Sequence, residues 1–181
     1  MNSRNQRLHA AALVAAALLA LAACKPNPGI DAEKAIRSYL GDDAKTVKVS
    51  IANGQATLSG AVALRSTRRI APEIALTLPG IGSVDNQITV PERQKLESMY
   101  MDAVDAALES NVEQLLLRSV GPGVVSQLHL VAMEGIVSVR GQVADPEIHR
   151  RIVEVVGNMD DVRKIVDLLH VANAPTAATQ Q

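Results

Sequence analysis

An internal repeat restricts the fold of this chain more than any other feature of its sequence. Residues 53–62 match residues 134–143 at a constant offset of 81, and the two glycines of each segment coincide. Upstream, two valines of 47–49 match two leucines of 128–130 at the same offset. A duplicated segment of this length is one supersecondary unit, so the sequence predicts two copies of one small module.

Each copy is predicted to fold as helix, strand, strand, helix and strand. Residues 47–51 alternate with period two, Asn53–Gly54 is typical of a tight hairpin turn, and residues 56–62 return as the second strand. A later helix is predicted in both copies from apolar residues that match at an offset of 78, which would shorten the second copy's loop by three residues. The predicted fold class is therefore α+β, with two tandem αββαβ modules.

Local signals suggest where the helices begin. In the second copy, residues 145–146 read Asp-Pro, a typical N-cap and first helical residue, and Thr67 takes the cap position in the first copy. Pro72 predicts a kink or a helix that starts there, because proline removes a hydrogen bond inside a helix. Residues 110–113 have the capping-box form, but the apolar period also allows one unbroken helix over 92–119.

The amino terminus is typical of the signal peptide of a bacterial lipoprotein. Two arginines precede an unbroken apolar run at 10–23, which is shorter than the roughly 20 residues that a transmembrane helix needs. Residues 21–24 resemble a lipobox, in which the cysteine receives a diacylglycerol and becomes the first residue after cleavage. Cys24 is the single cysteine of the chain. The alternative is a plain signal peptide that ends before a cysteine by chance.

The sequence therefore predicts six parts. They are a lipoprotein signal peptide at 1–23, a tether at 24–30, a first module at 31–90, a helical connector at 91–109, a second module at 110–171 and a disordered tail at 172–181.

The repeated pattern resembles the BON family, small αββαβ modules that are often paired in bacterial envelope proteins. The resemblance rests on the turn glycines Gly54 and Gly135 and on Gly60 and Gly141 six positions further on, which we expect to be structural. The second copy departs from the family at 157–162, where Gly-Asn-Met-Asp-Asp-Val replaces the usual Pro-Gly-Val helix exit.

With the lipobox, the resemblance implies a dual-BON outer-membrane lipoprotein that faces the periplasm. Lys25, in place of an aspartate, favours the outer membrane over the inner one. The family is associated with phospholipid binding and envelope maintenance, so the resemblance implies no enzymatic activity and no cofactor. An alternative function is that of a periplasmic adapter, which would bind an envelope assembly or β-barrel partner through its strands or its connector helix.

Composition argues against several other functions. The only aromatic residues are two tyrosines, so the aromatic faces that usually hold single-stranded nucleic acid are missing, and we predict no nucleic-acid partner. Outside the signal peptide the histidines are His129, His149 and His170, and the paired aspartates lie at 42–43 and 160–161. None has the spacing of a metal site or a catalytic motif, so we predict neither.

The predicted lipid-binding residues are arginines. The first module has seven basic residues against six acidic ones, whereas the second has six against eight and the connector has two against five. Arg65, Arg68 and Arg69 cluster around the start of the first module's later helix, and Arg150 and Arg151 occupy the related helix. We predict that they bind anionic phospholipid, to which each arginine contributes about 1 kcal/mol. The alternative is an ordinary solvated helix start.

Two further expectations concern packing. Tyr39 and Tyr100 are predicted to fill the core edges of their helices. The apolar stripe of the connector, which consists of Met99, Met101, Val104 and Leu108, is predicted to pack between the modules. The alternatives are a groove for a partner or a strip that faces lipid.

Overall fold

The computed structural model of the chain describes residues 28–91 and 95–172, and for residues 95–99 the backbone alone. The predicted signal peptide, the lipidation at Cys24, most of the tether and nearly all of the tail lie outside the described residues. The first module consists of α1 (Pro28–Leu40), a 3₁₀ turn (Gly41–Thr46), β1 (Lys48–Ala52), β2 (Gln55–Ala61), α2 (Arg65–Ala75) and β3 (Ser83–Thr89). The second consists of α3 (Lys95–Ser119), α4 (Pro122–Val125), β4 (Leu128–Met133), β5 (Ile136–Val143), α5 (Pro146–Gly157) and β6 (Lys164–Val171).

Each module contains a three-stranded sheet, and the two sheets have the same topology. The hairpin strands are antiparallel, and the closing strand lies parallel to the second strand of the hairpin, in the orders β1-β2-β3 and β4-β5-β6. At the centre of the sheets, Leu58 pairs with Asn86 and Val139 pairs with Asp167. The predicted α+β class with two αββαβ modules is confirmed.

The repeat keeps its offset of 81 through the later helix and the closing strand, so the predicted change to 78 was wrong. Arg65 and Pro146 begin the equivalent helices α2 and α5, and the central pairs of the two sheets are also 81 residues apart. A shift of three residues nearly preserves the faces of a helix with 3.6 residues per turn. The apolar stripe of the helix is therefore compatible with both offsets, whereas the strand register shows that the offset is 81.

The starts of the two later helices differ. Asp145 caps α5 as predicted, because its Oδ1 accepts hydrogen bonds at 2.9 Å from the backbone N–H groups of residues 147 and 148. Helix α2 begins earlier than predicted, at Arg65, so that Thr67 is buried inside the helix and does not cap it. Asp43 of the 3₁₀ turn supports the entry to α2 by accepting from the N–H groups of residues 63 and 64, at 2.8 and 3.1 Å.

Pro72 lies inside α2, which neither starts nor ends at the proline. Proline has no N–H, so the carbonyl of Arg68, one turn earlier, loses its helical donor. The side-chain amide of Asn86 in β3 donates to that carbonyl instead, at 2.8 Å. The neighbouring strand thus satisfies the acceptor that the proline leaves open.

Helix α3 is one helix of 25 residues, so the capping-box pattern at 110–113 does not mark a helix start. The connector and the leading helix of the second module are continuous, because buried apolar residues at Leu108, Val112 and Leu116 keep one face on the second core. Helix α1 similarly begins at Pro28, within the residues predicted as a tether.

The two modules stack into four layers: the first sheet, helices α1 and α2, the second sheet, and helices α3 and α5. Helix α2 packs against β3 of its own sheet and also against β4 and β5 of the other module. Val131, Val166 and Leu168 on one face of the second sheet join the first module's core, whereas the opposite face joins the core beneath α3 and α5. Helix α2 is consequently buried on two faces.

The repeated glycines have backbone conformations that disfavour side chains. Gly54 and Gly135 lie in the hairpin turns with φ of +78° and +71°. Gly60 in β2 has φ of +127°, and a Cβ there would overlap the carbonyl oxygen of Thr46. A Cβ at Gly141 would likewise overlap the backbone just before β4.

We predict that Gly60→Val destabilises the fold. The added side chain overlaps the backbone at Thr46 and requires a strained φ, so the free energy of unfolding should fall by about 1–3 kcal/mol. Urea unfolding measures the change. Gly123→Val is the control, because open space surrounds Gly123. An unchanged midpoint for Gly60→Val would contradict the close approach.

Candidate functional site

Arg65 lies in the contact between the modules. Its side chain is only 15% exposed, it forms an ion pair with Asp102 of α3, and its Nη2 lies 3.9 Å from Oδ2 of Asp105. It is the first residue of α2 and does not belong to a preceding loop. Of the three arginines predicted to cluster, Arg65 is therefore the one whose charge another part of the chain already balances.

Arg68 and Arg69 lie on the exposed side of the first turns of α2. Neither forms an ion pair with another described residue. Leu64, which precedes the helix, is 41% exposed. Two uncompensated guanidinium groups and an exposed leucine thus share one end of the first module, and we name this surface the α2 basic end.

The arginines of the second module lie in a more acidic setting. Arg150 is 71% exposed and forms an ion pair with Glu147 one turn earlier on α5. Arg151 is exposed and has Glu154 one turn later on the same helix. The structure therefore separates the five predicted lipid-binding residues into the α2 basic end, a partly neutralised pair on α5, and the interface residue Arg65.

The second module caps a helix of the first. Glu134, in the β4–β5 turn, accepts hydrogen bonds from the backbone N–H of Ser66 at 3.1 Å and from its hydroxyl at 2.7 Å. Leu64 at the N-cap position of α2 has no side-chain oxygen. A carboxylate 68 residues away therefore satisfies the helix N-terminus, where a negative charge is favourable.

A second polar contact joins the modules near the other end of α2. The carboxylate of Glu73, 12% exposed, lies 2.9 Å from Nε of Arg140 in β5 and 3.2 Å from Nδ1 of His129 in β4. A carboxylate buried to this degree is tolerated only when it is paired. Glu73 and Glu134 together fix the position of α2 on the second sheet.

Asp105 connects the long helix to this interface. Its Oδ1 accepts a hydrogen bond from the backbone N–H of Glu134 at 2.7 Å, whereas its buried Oδ2 has no hydrogen-bond partner among the described residues. Burial raises the pKa of Asp105 above its usual value, and the hydrogen bond from Glu134 and the charge of Arg65 oppose the rise. Asp105 thus holds the β4–β5 turn in the position from which Glu134 caps α2.

Sequence reasoning did not identify the residues of this interface. One usable signal was present, because β4 and β6 are apolar on both faces, which indicates a sheet covered on both sides. No sequence pattern indicated that Glu73 would pair with Arg140, because the two residues are 67 positions apart.

His129 belongs to the contact with Glu73, whereas His149 and Asp42 have local contacts. His149 contacts Asp167 across α5 and β6 at 2.7 Å, and Asp42 pairs with Lys45 at 2.9 Å. In the described part of the chain no group of three or more histidine, cysteine or acidic side chains is arranged to hold a metal ion. No described helix is long and apolar enough to cross a membrane.

The side chain of Met99 lies outside the described residues, and the rest of the stripe predicted to pack between the modules has a different environment. Leu108 is buried in the second module's own core, whereas Val104 is 45% exposed and Tyr100 is 77% exposed. Tyr39 packs at the edge of the first core as expected. The prediction for Tyr100 was wrong, because the residues of α3 that join the second core begin two turns later, at Leu108.

Two segments of the chain, residues 31–92 and 104–173, match the family model of the BON domain. Together the two segments cover well over half of the sequence. The chain belongs to the BON family. BON domains are non-catalytic binding domains that occur commonly in envelope-associated proteins.

Comparison with other proteins adds two distant similarities. A solved structure of CdsD, a structural protein of the type III secretion system of Chlamydia trachomatis, is 14% identical, with 80% of this chain and 92% of that chain covered at a TM-score of 0.32. The C-terminal domain of CdsD is 15% identical, with 84% and 100% covered at a TM-score of 0.31. At these TM-scores the similarity supports no functional conclusion. No curated protein matches the chain.

We predict that Arg140→Ala weakens the contact between the modules. The substitution leaves Glu73 largely buried beside His129 alone, so the free energy of unfolding should fall by about 1–3 kcal/mol. Arg150→Ala is the matched control, because its ion pair is exposed and contributes at most about 0.5 kcal/mol. Chemical unfolding of both variants at pH 7 checks the difference, and equal losses would show that the Glu73 contact adds nothing.

Proposed function

We propose that the chain is a lipoprotein of the bacterial outer membrane, anchored through Cys24 and facing the periplasm, whose BON modules bind anionic phospholipid and support membrane integrity. It is proposed to act by binding, without enzymatic activity and without a cofactor. The observation that carries the proposal is the α2 basic end, where Arg68 and Arg69 are exposed and unpaired within the described chain beside the exposed Leu64.

The proposed anchor would keep the first module close to the lipid surface. Helix α1 begins at Pro28, so four residue steps separate it from Cys24. Each step spans at most about 3.6 Å, which limits the distance to roughly 14 Å. Ile30, two residues further along the first turn of α1, is 49% exposed, and the anchor would keep it close to the membrane as well.

The anchor and the arginines would support one another. Two arginines near an anionic bilayer contribute about 2 kcal/mol together, which is weak for a free protein. Two acyl chains hold a protein stably on a membrane, and a tethered module meets the surface at a high effective concentration. Weak contacts of the α2 basic end would then be sufficient to orient the module.

Liposome sedimentation tests the lipid proposal. The soluble chain without residues 1–24 should sediment with phosphatidylglycerol vesicles at low salt and remain in solution with phosphatidylcholine vesicles. Arg68→Ala with Arg69→Ala should weaken the binding roughly tenfold or more, because two attractive charges are lost.

The matched control removes the same charge elsewhere, by Arg37→Ala with Arg118→Ala, both on exposed helix positions. Arg150→Ala with Arg151→Ala should have a smaller effect than the α2 pair, because glutamates flank both arginines. Equal binding to neutral and anionic vesicles, or an equal loss in the control, would overturn the proposal.

Mass spectrometry of the mature amino terminus tests the anchor. The expected product begins at Cys24 and carries the mass of a diacylglycerol, and Cys24→Ala should release the chain from the membrane fraction. A mature chain that begins elsewhere, with an unmodified cysteine, would contradict the location.

The adapter function has a different structural basis. Addition of a partner strand at β1 or β4 is disfavoured, because carboxylates of the leading helices already accept from one outward N–H group of each strand: Glu33 from Val49 at 3.1 Å and Glu109 from Ala132 at 3.1 Å. The exposed apolar surface of α3 is another candidate.

A further inference from the structure

The first turns of α3 form one side of an open groove, which we name the α3 groove. It has a volume of about 720 Å³ and lies between α3, the β4–β5 turn and the loop that joins α5 to β6. Its apolar side carries Met101, Val104, Ala107 and Leu108, and Tyr100 stands at one end. Tyr100 and Val104 lie one turn apart and are two of the few large apolar side chains exposed in the described chain.

The rim of the α3 groove is acidic. Asp105, Glu134, Asp160 and Asp161 line it together with a single basic residue, Arg163. The guanidinium of Arg163 donates to the carbonyl of Glu134 and is therefore directed at the turn.

Two of these carboxylates have no partner to balance them. Asp160 and Asp161 are exposed and form no ion pair with another described residue. The charges of Asp105 and Glu134, by contrast, are engaged by Arg65 and Ser66.

The acidic rim is a feature of the second module alone. The equivalent loop of the first module, residues 76–82, contains no charged residue. Asp160 and Asp161 stand where the sequence departs from the usual Pro-Gly exit of the family. The first turns of α3 also precede residue 104, where the second BON match begins. The acidic side of the groove is therefore specific to the second module.

We infer that the α3 groove binds a basic peptide segment of a partner protein, which places an apolar side chain against Tyr100 and Val104 and a lysine or arginine against Asp160 and Asp161. Exposed aromatic and apolar residues are typical anchors of protein interfaces, and the unbalanced carboxylates select a cationic partner. An anionic headgroup would meet repulsion here. The site is thus separate from the α2 basic end and independent of phospholipid binding.

Photo-cross-linking in cells that naturally express the protein tests the occupant. A photoreactive amino acid replaces Ala107, which lines the groove, in the full lipidated chain, and the control replaces its exposed neighbour Ala106, which does not line it. The expected result is one dominant protein adduct at Ala107, with a cross-linked peptide rich in lysine or arginine. An adduct with a second copy of the chain, an adduct with lipid, or no adduct above the Ala106 control would overturn the inference.

A binding measurement tests the chemistry. The probes are a labelled peptide of alternating leucine and lysine, its leucine–glutamate counterpart, and a serine–lysine peptide, added to the purified lipidated chain in neutral micelles. The leucine–lysine peptide alone should bind in fluorescence anisotropy. Asp160→Asn with Asp161→Asn should weaken this binding roughly three- to tenfold, whereas Asp31→Asn with Asp42→Asn, an equal charge change on the first module, should not.

The two proposals fail independently. Arg68→Ala with Arg69→Ala should leave peptide binding unchanged, and Asp160→Asn with Asp161→Asn should leave vesicle binding unchanged. Equal binding of the leucine–lysine and serine–lysine peptides, or an equal loss in the Asp31 and Asp42 control, would reduce the groove to a nonspecific acidic surface and overturn the inference.

Discussion

Burial of helix α2 on two faces determines how the modules are arranged. Ser66 and Glu73 lie two turns apart and both bond to the second module, so the residue between them on that face, Ile70, points the same way. The equivalent residues of α5, at the offset of 81, are Glu147, Arg151 and Glu154, and all three are exposed. The same helix face is therefore buried and apolar or paired in the first copy, and charged and exposed in the second.

The features of this structure that depend on neighbouring residues could be predicted from the sequence. Alternation, the Asn-Gly turn and the Asp-Pro cap depend on neighbouring residues, and each predicted an element that is present. Pro72 was ambiguous because the group that compensates for it, the amide of Asn86, is on another strand. The interface and Tyr100's exposure were not predictable for the same reason, since they depend on contacts between residues far apart in the chain. The offset of 78 for the later helix was predicted wrongly, because a helical stripe tolerates a shift of three residues.

The outer faces of the two-module stack are polar. A third module added by the same operation would bury either the outer face of the first sheet or the outer face of α5. The first face carries Lys48, Asp85 and Gln87, and the second carries the charged residues of α5, all exposed. Burying such groups without partners costs several kcal/mol. These outer faces are therefore suited to contact with solvent.

The interface between the modules also determines which charged residues are paired and which are left exposed. Asp102 and Asp105 of α3 neutralise Arg65, which leaves Arg68 and Arg69 as the uncompensated cations of the α2 basic end. Asp160 and Asp161, which form no ion pair with another described residue, lie on the second module at the α3 groove. An anionic surface and a cationic segment would consequently be bound through different residues, with little competition between them. Because both contacts are exposed and electrostatic, salt weakens them together, and attachment of the chain to a membrane is what would make either of them sufficient.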